Sequence, residues 1–181
     1  MNDYRLEQDC FIIEHYDRKV PFCSFLPGLT GENGIPIWSF YVNRGQCITS
    51  FGVNKKESPI MEFTPAVIAY ENTDLKGFRT FVRRDGQYWE PFSGPQASRT
   101  MYIRQNSLRL LETDPAHGLQ TEVVYFILPG EPFGALVRQI TFTNLGGEAA
   151  FEFLDGMPRI IPYGVSGSDF ARMANLTRSY S

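Results

Sequence analysis

Trp38, Tyr41, Asn43, Arg44 and Gln46 crowd into one stretch of this 181-residue sequence, Gly34-Ile35-Pro36-Ile37-Trp38-Ser39-Phe40-Tyr41-Val42-Asn43-Arg44-Gly45-Gln46. That mixture suits a sugar. Aromatic faces cover the C–H face of a pyranose, while planar amide and guanidinium groups meet its hydroxyls in fixed directions. Trp89, in Gln87-Tyr88-Trp89-Glu90, offers a second platform. The same pattern also suits plain packing, with Trp38, Phe40 and Phe51 filling the core of a tight hairpin around Asn43-Arg44-Gly45.

Other chemistries find less support. No G-x-x-x-x-G-K-[ST] occurs and no G-x-G-x-x-G follows a strand, so neither common phosphate cradle is present. In Gly164-Val165-Ser166-Gly167 the second glycine comes one residue too early for a nucleophile elbow. The two histidines, His15 and His117, provide neither a triad nor a zinc ligand set. His15 is expected on a strand surface and His117 solvated in a turn beside Asp114. Glu62 and Asp155 sit among apolar neighbours, where a carboxyl could be tuned as a general acid, although ion pairing accounts for buried carboxylates as well. Asp155 before Gly156 also suits a turn. Arg79, Arg83 and Arg84 could clamp hydroxyls or form a solvated face. No catalytic residue and no metal site is assigned.

Composition narrows the partners. Lys+Arg 17 against Asp+Glu 20 gives a net charge of −3, which provides no basic field for nucleic acid or an anionic membrane. The start, Met1-Asn2-Asp3-Tyr4-Arg5-Leu6-Glu7, lacks the basic end and apolar run of a secretory signal, and no stretch has the length of a membrane span. Cys10, Cys23 and Cys47 are an odd count without C-x-x-C spacing, so reduced thiols in a cytoplasmic protein are expected.

The elements that must position these residues read as β-strands. Aromatics make up 14% of the chain, and 12 prolines and 16 glycines punctuate it at short intervals, as strands joined by turns require. Phe78-Arg79-Thr80-Phe81-Val82-Arg83-Arg84 runs into Asp85-Gly86, a strong hairpin signal, and on to Gln87-Tyr88-Trp89. Residues 101–112 read as one strand ending in a turn at 114–118. Residues 122–128 read as a strand buried on both faces, ended by Pro129-Gly130. Alternation over 136–142 and again over 149–154, across Asn144-Leu145-Gly146-Gly147, predicts a hairpin or meander. Helical periodicity is confined to 168–178, with Ser168 as N-cap. Some eight to ten strands with short connections predict an all-β, antiparallel two-sheet β-sandwich over 1–165, with a closed barrel as the alternative. Residues 166–181 begin a helical segment, and the sequence is expected to have been cut from something longer.

Several blocks in order carry a resemblance. Pro21-Phe22-Cys23-Ser24-Phe25-Leu26-Pro27-Gly28, Gly34 to Gln46, Ser50-Phe51-Gly52-Val53, Ile60-Met61-Glu62-Phe63, Gly77-Phe78-Arg79-Thr80-Phe81, Glu131-Pro132-Phe133-Gly134-Ala135-Leu136-Val137-Arg138 and Leu154-Asp155-Gly156-Met157-Pro158 are similar to the amino-terminal region of 1,2-β-oligoglucan phosphorylases. These are cellobiose-phosphorylase-like enzymes of glycoside hydrolase family ninety-four. The resemblance runs from Phe11 to Val165. It implies an amino-terminal supersandwich that packs on a helical catalytic barrel of the same polypeptide, helps shape the cleft for a β-glucan oligosaccharide and contributes to a homodimer. Such enzymes need no cofactor and use inorganic phosphate as co-substrate. No position here matches the family's catalytic motif, so no catalytic residue carries over. On this resemblance the segment Trp38 to Gln46 becomes a cleft or interface surface. Two other readings stand beside it: a freestanding carbohydrate-binding module with Trp38, Tyr41 and Trp89 as platform, and a structural or dimerisation domain without its own ligand.

Overall fold

The computed structural model describes residues 3–26, 28–31, 33–160, 169 and 172–173. Among them run β1 (Tyr4–Glu7), β2 (Cys10–Glu14), β3 (Cys23–Leu26), β4 (Leu29–Thr30), β5 (Ile35–Val42), β6 (Ile48–Val53), β7 (Pro59–Met61), the helix α1 (Ala66–Lys76), β8 (Arg79–Arg84), β9 (Gln87–Trp89), β10 (Ser98–Ile103), β11 (Ser107–Asp114), β12 (Leu119–Ile127), β13 (Leu136–Asn144) and β14 (Glu152–Gly156). A 3₁₀ turn, Tyr16–Arg18, follows β2. The fold is all-β and antiparallel, as the punctuated aromatic sequence predicts.

Period-2 patterning builds the largest sheet, in the order β1-β2-β10-β11-β12-β13. Along β11 and β12, Leu108, Leu110 and Glu112 on one strand and Thr121, Val123 and Tyr125 on the other are buried, while the residues between them are half-exposed. The register places Leu110 opposite Val123 and Leu108 opposite Tyr125, so both buried sets fall on the same face. That alternation corrects the reading of 122–128 as buried on both faces. The second sheet is β3-β5-β6-β7, with β4 beside β5. Ile13, Met101, Leu108, Leu110, Val123 and Tyr125 of the first sheet share one core with Leu26, Tyr41, Ile48, Phe51 and Met61 of the second. Two apolar faces closing on each other make the sandwich, and each large side chain fully buried there contributes about 1.5–3 kcal/mol.

The third sheet, β14-β8-β9, has three strands. Its β8–β9 hairpin turns at Asp85 and Gly86, both with positive φ (53° and 77°), as the Asp-Gly signal requires. The last strand departs from expectation. β14 does not return beside β13 but pairs with β8, Leu154 opposite Phe81, and Phe153 stacks on Phe142 with ring centroids 3.9 Å apart. Residues 101–112 also form two strands, not one: Arg104 N donates to Ser107 O at 2.9 Å, closing the hairpin between β10 and β11.

Helix α1 was not legible in the sequence. Only Ala69 and Thr73 of its residues are buried, so its apolar stripe is too narrow to stand out, and Val67, Ile68 and Leu75 are exposed. Ala69 packs on Phe40 and Val42, which point to the side of β5 opposite the sandwich core. The helix expected over 168–178 and the boundary at 165 lie outside the described residues, apart from 169 and 172–173. Among the described residues no helix is long and apolar enough to cross a membrane.

Candidate functional site

The polar residues of the β5–β6 turn bond inward. Asn43 is fully buried; its Oδ1 accepts from Phe22 N at 2.9 Å, and its Nδ2 donates to Tyr16 O at 2.9 Å and Val20 O at 3.1 Å. Arg44 donates from Nη1 to Asn43 O at 2.7 Å and from Nη2 to Lys19 O at 3.1 Å. The amide and guanidinium thus pin the segment after β2 against the hairpin. Gly45 completes the arrangement: its carbonyl accepts from Tyr16 Oη at 2.6 Å. With φ +49° and Thr73 Cγ2 only 2.9 Å from where a Cβ would sit, it is also where α1 closes over the turn. Tyr41 lies in the sandwich core, and burial raises its pKa. It presents no face to a sugar.

Gln46 anchors a second network, also buried. Its Nε2 donates to Thr80 Oγ1 at 3.0 Å, its Oε1 accepts from Arg138 Nη2, and its backbone carbonyl accepts from Tyr125 Oη at 2.9 Å. Thr80 Oγ1 donates to Asp155 Oδ1 at 2.6 Å and accepts from Arg138 Nη2 at 3.0 Å, so its one donor and both lone pairs are used. Arg138 Nη1 pairs with Asp155 Oδ2, and its guanidinium lies 5.1 Å from the centre of the Phe78 ring. Asp155 therefore sits in β14 opposite Thr80, with both oxygens bonded, and does not organise a turn. Glu62 follows β7, and its backbone carbonyl accepts from Ser50 Oγ at 2.7 Å.

The arginines on β8 are committed too. Arg79 forms a two-pronged pair with Glu90 (2.8 and 2.6 Å), Arg83 pairs with Glu152 at 3.1 Å, and Arg84 donates to His117 O at 3.1 Å. His15 follows β2 with left-handed φ and ψ (50° and 45°) and a buried Nδ1 without a partner, so it is not the strand-surface residue expected.

Of the expected set, Trp38 is exposed and Trp89 and Arg44 are half-buried, and the two tryptophans stand on different sheets. Trp38 is 41% exposed; its Nε1 donates to Asn54 O at 3.3 Å, and it meets Phe25 edge to face at 5.9 Å. It borders an open apolar groove with Leu29 and Pro36. Trp89, at the end of β9, lies under the ring of His117, centroids 4.2 Å apart and planes 8° from parallel. His117 Nδ1 is 2.6 Å from Asp114 Oδ2, and Asp114 Oδ1 accepts from Ala116 N at 3.0 Å and His117 N at 3.3 Å. His117 thus lies in the turn beside Asp114 as expected and keeps part of its side chain exposed, but its ring is held by a carboxylate at its edge and an indole on its face.

One cluster beside Trp89 was missed in the sequence. Arg99 donates from Nε to Glu112 Oε2 at 2.7 Å, from Nη1 to Asp17 Oδ2 at 2.7 Å, and from Nη2 to Gly94 O. Glu112 Oε2 also accepts from Phe92 N at 2.7 Å. Burial raises the Glu112 pKa, and the bond from Arg99 opposes that rise. The signal was present: in Leu108-Arg109-Leu110-Leu111-Glu112, the glutamate falls in phase with two core leucines.

The fold and these networks define an all-β, sandwich-like domain. No known protein family's sequence profile matches the chain, and no curated protein matches it. Among the described residues no group of three or more His, Cys, Asp or Glu side chains is placed to hold a metal ion.

Proposed function

We propose that this chain is the amino-terminal β-sandwich of a cytoplasmic glycoside phosphorylase similar to the 1,2-β-oligoglucan phosphorylases of glycoside hydrolase family ninety-four. The observation that carries this reading is the meeting of Gln46, Thr80, Arg138 and Asp155 in one hydrogen-bonded network. Those four residues come from four separate sequence blocks on which the resemblance rests. A hydrogen-bonded network that joins the four blocks makes them parts of one framework, which supports reading their likeness together. The antiparallel, all-β architecture is in keeping with it.

On this reading the sandwich supports a helical catalytic barrel of the same polypeptide and borders its β-glucan cleft. A carboxylic acid on the barrel protonates the departing glycosidic oxygen while inorganic phosphate attacks the anomeric carbon, giving α-glucose 1-phosphate with inversion. The sandwich provides no part of that acid chemistry. Trp38 and Trp89 serve as its sugar-facing residues, while Tyr41, Asn43, Arg44 and Gln46 hold the hairpin that presents Trp38. The test is phosphate-dependent release of glucose 1-phosphate from β-1,2-linked glucooligosaccharides, by the 181-residue chain and by the product of the complete reading frame. Turnover is expected from the second alone. An inactive complete product, or an active isolated chain, overturns the reading.

A further inference from the structure

Between β9, the loop over 93–97 and the end of β11 lies a cleft of about 190 Å³, lined by Trp89, Gln96, Arg99, Glu112, Asp114 and His117 among others. That is room for roughly six water volumes of about 30 Å³ and below the roughly 300 Å³ of drug-sized pockets. The space suits one small ring. Glu112 gives the cleft its direction. The side chain is 3% exposed, Oε2 takes two hydrogen bonds, and Oε1 has no partner within the protein. Among the described residues the buried polar atoms left without a partner are His15 Nδ1 and Ser39 Oγ, so Glu112 Oε1 is open to the cleft and can accept there from a donor that enters. His117, held through Nδ1, keeps Nε2 for a second polar contact, and the amide of Gln96, an exposed residue, provides a third.

Charge selects among small rings. Glu90 is neutralised by Arg79, Arg99 is shared between Glu112 and Asp17, and Asp114 is bonded to His117. No unanswered cation lines the cleft, and acid is in excess over base, so an anionic ligand meets repulsion. The charges disfavour an anion, and the open carboxylate oxygen beside an aromatic wall suits a ligand that donates hydrogen bonds and offers an apolar face. We infer that the cleft binds a single neutral hexopyranose unit, its C–H face against the Trp89–His117 pair and a hydroxyl donating to Glu112 Oε1. The choice of a sugar rests on the functional reading above; the geometry of the cleft does not.

The chain contains two tryptophans, so two indole N–H signals report on the two surfaces separately. Isotope-labelled protein is titrated with D-glucose and with glucose 1-phosphate, the signals being assigned with Trp38→Phe. Saturable movement of the Trp89 signal with glucose is expected, with a midpoint on the order of 1–10 mM, and a response to the phosphate ester at least tenfold weaker. Glu112→Gln, which replaces the free acceptor by a donor, is expected to weaken glucose binding about tenfold, in line with loss of one buried hydrogen bond. If that variant fails to fold, the unsubstituted titration still decides. A Trp89 signal that stays fixed up to about 100 mM glucose, or that answers the phosphate ester as tightly as the sugar, overturns the proposal. Phosphorolysis by the complete reading frame is a separate readout: activity with a fixed Trp89 signal removes only this site, and a moving signal without activity removes only the phosphorylase reading.

Discussion

Arg99 and Glu112 stand opposite each other in the β10–β11 register with Nε and Oε2 2.7 Å apart, their side chains 5% and 3% exposed. Desolvating both charges is costly, and the pair holds because Arg99 also donates to Asp17 and Gly94 O and because Glu112 Oε2 takes a second bond from Phe92 N. Arg99→Met strands Glu112 as an uncompensated buried charge and is expected to lower unfolding free energy by about 3–5 kcal/mol. Arg99→Met combined with Glu112→Leu removes both charges and is expected to cost less than the arginine change alone. Urea unfolding of the two variants checks this; a single variant within about 1 kcal/mol of the parent would show that the pair carries no such weight.

Two carboxyls on the first sheet pull the pH dependence of stability in opposite directions. Glu14 accepts from Thr100 Oγ1 at 2.7 Å and pairs with Arg5 at 2.9 Å, and these bonds hold its pKa below the ordinary value. Its contribution is present above the unfolded carboxyl pKa of about 4.3 and is lost as pH falls through the lower folded value. Burial raises the pKa of Glu112, so the folded protein binds that proton more tightly than the unfolded chain. Stability from this group therefore declines as pH rises from about 4.3 through the raised folded value. Melting temperatures of Glu14→Gln are expected to converge on the parent's as pH falls toward 3. Those of Glu112→Gln are expected to lie furthest below the parent's at acid pH and to close the gap as pH rises. Parallel pH profiles for parent and variants would contradict both assignments.

How much of this was legible in the sequence depends on the range of the interaction. The β5–β6 and β8–β9 hairpins were readable because Asn43-Arg44-Gly45 and Asp85-Gly86 are local turn signals between alternating residues. The β10–β11 turn was not, since Arg104-Gln105-Asn106 carries neither glycine nor proline to interrupt the pattern. Nor was the partner of β14: alternation around Phe153 says that a strand exists, while its pairing with β8 is decided by a distant strand. The site divides the same way. An amide in a turn reads as a ligand contact until the backbone groups it satisfies, here Tyr16 O, Val20 O and Phe22 N around Asn43, are brought to it by the fold. Trp38 and Phe40 share one face of β5, yet α1 covers only Phe40, and nothing in the strand's own period could separate them.

That separation is measurable. Gln46→Ala removes one of the partners that Arg138 and Thr80 share and is expected to cost about 1.5–3 kcal/mol, the range for a buried hydrogen bond to a charged group. Trp38→Ala removes a half-open indole with one long hydrogen bond and is expected to stay within about 1 kcal/mol. Denaturant midpoints rank the two. The reverse order would place Trp38 in the framework and Gln46 at a free surface.

The thiols provide a count of what the sandwich encloses. Cys23 is exposed on β3, whereas Cys10 and Cys47 are buried. Burial drives the Cys47 thiol to a pKa far above its ordinary value, which suppresses the thiolate that would react. Cys47 also holds a positive φ of 69° in the turn between β5 and β6, its N–H bonded to Arg44 O at 2.9 Å, so exposing its sulfur means opening the hairpin that Asn43 and Gly45 lock. A chromogenic disulfide reagent at pH 8 is therefore expected to titrate one thiol rapidly in the native protein and all three in denaturant. The slow phase should follow the global unfolding free energy, and Gln46→Ala should accelerate it about thirtyfold or more if it removes roughly 2 kcal/mol. Rapid modification of Cys47 itself in the native protein, located by peptide mapping, would mean that the β5–β6 hairpin opens independently of the sandwich, and the turn could then serve as the exposed sugar surface that its residue types first suggest.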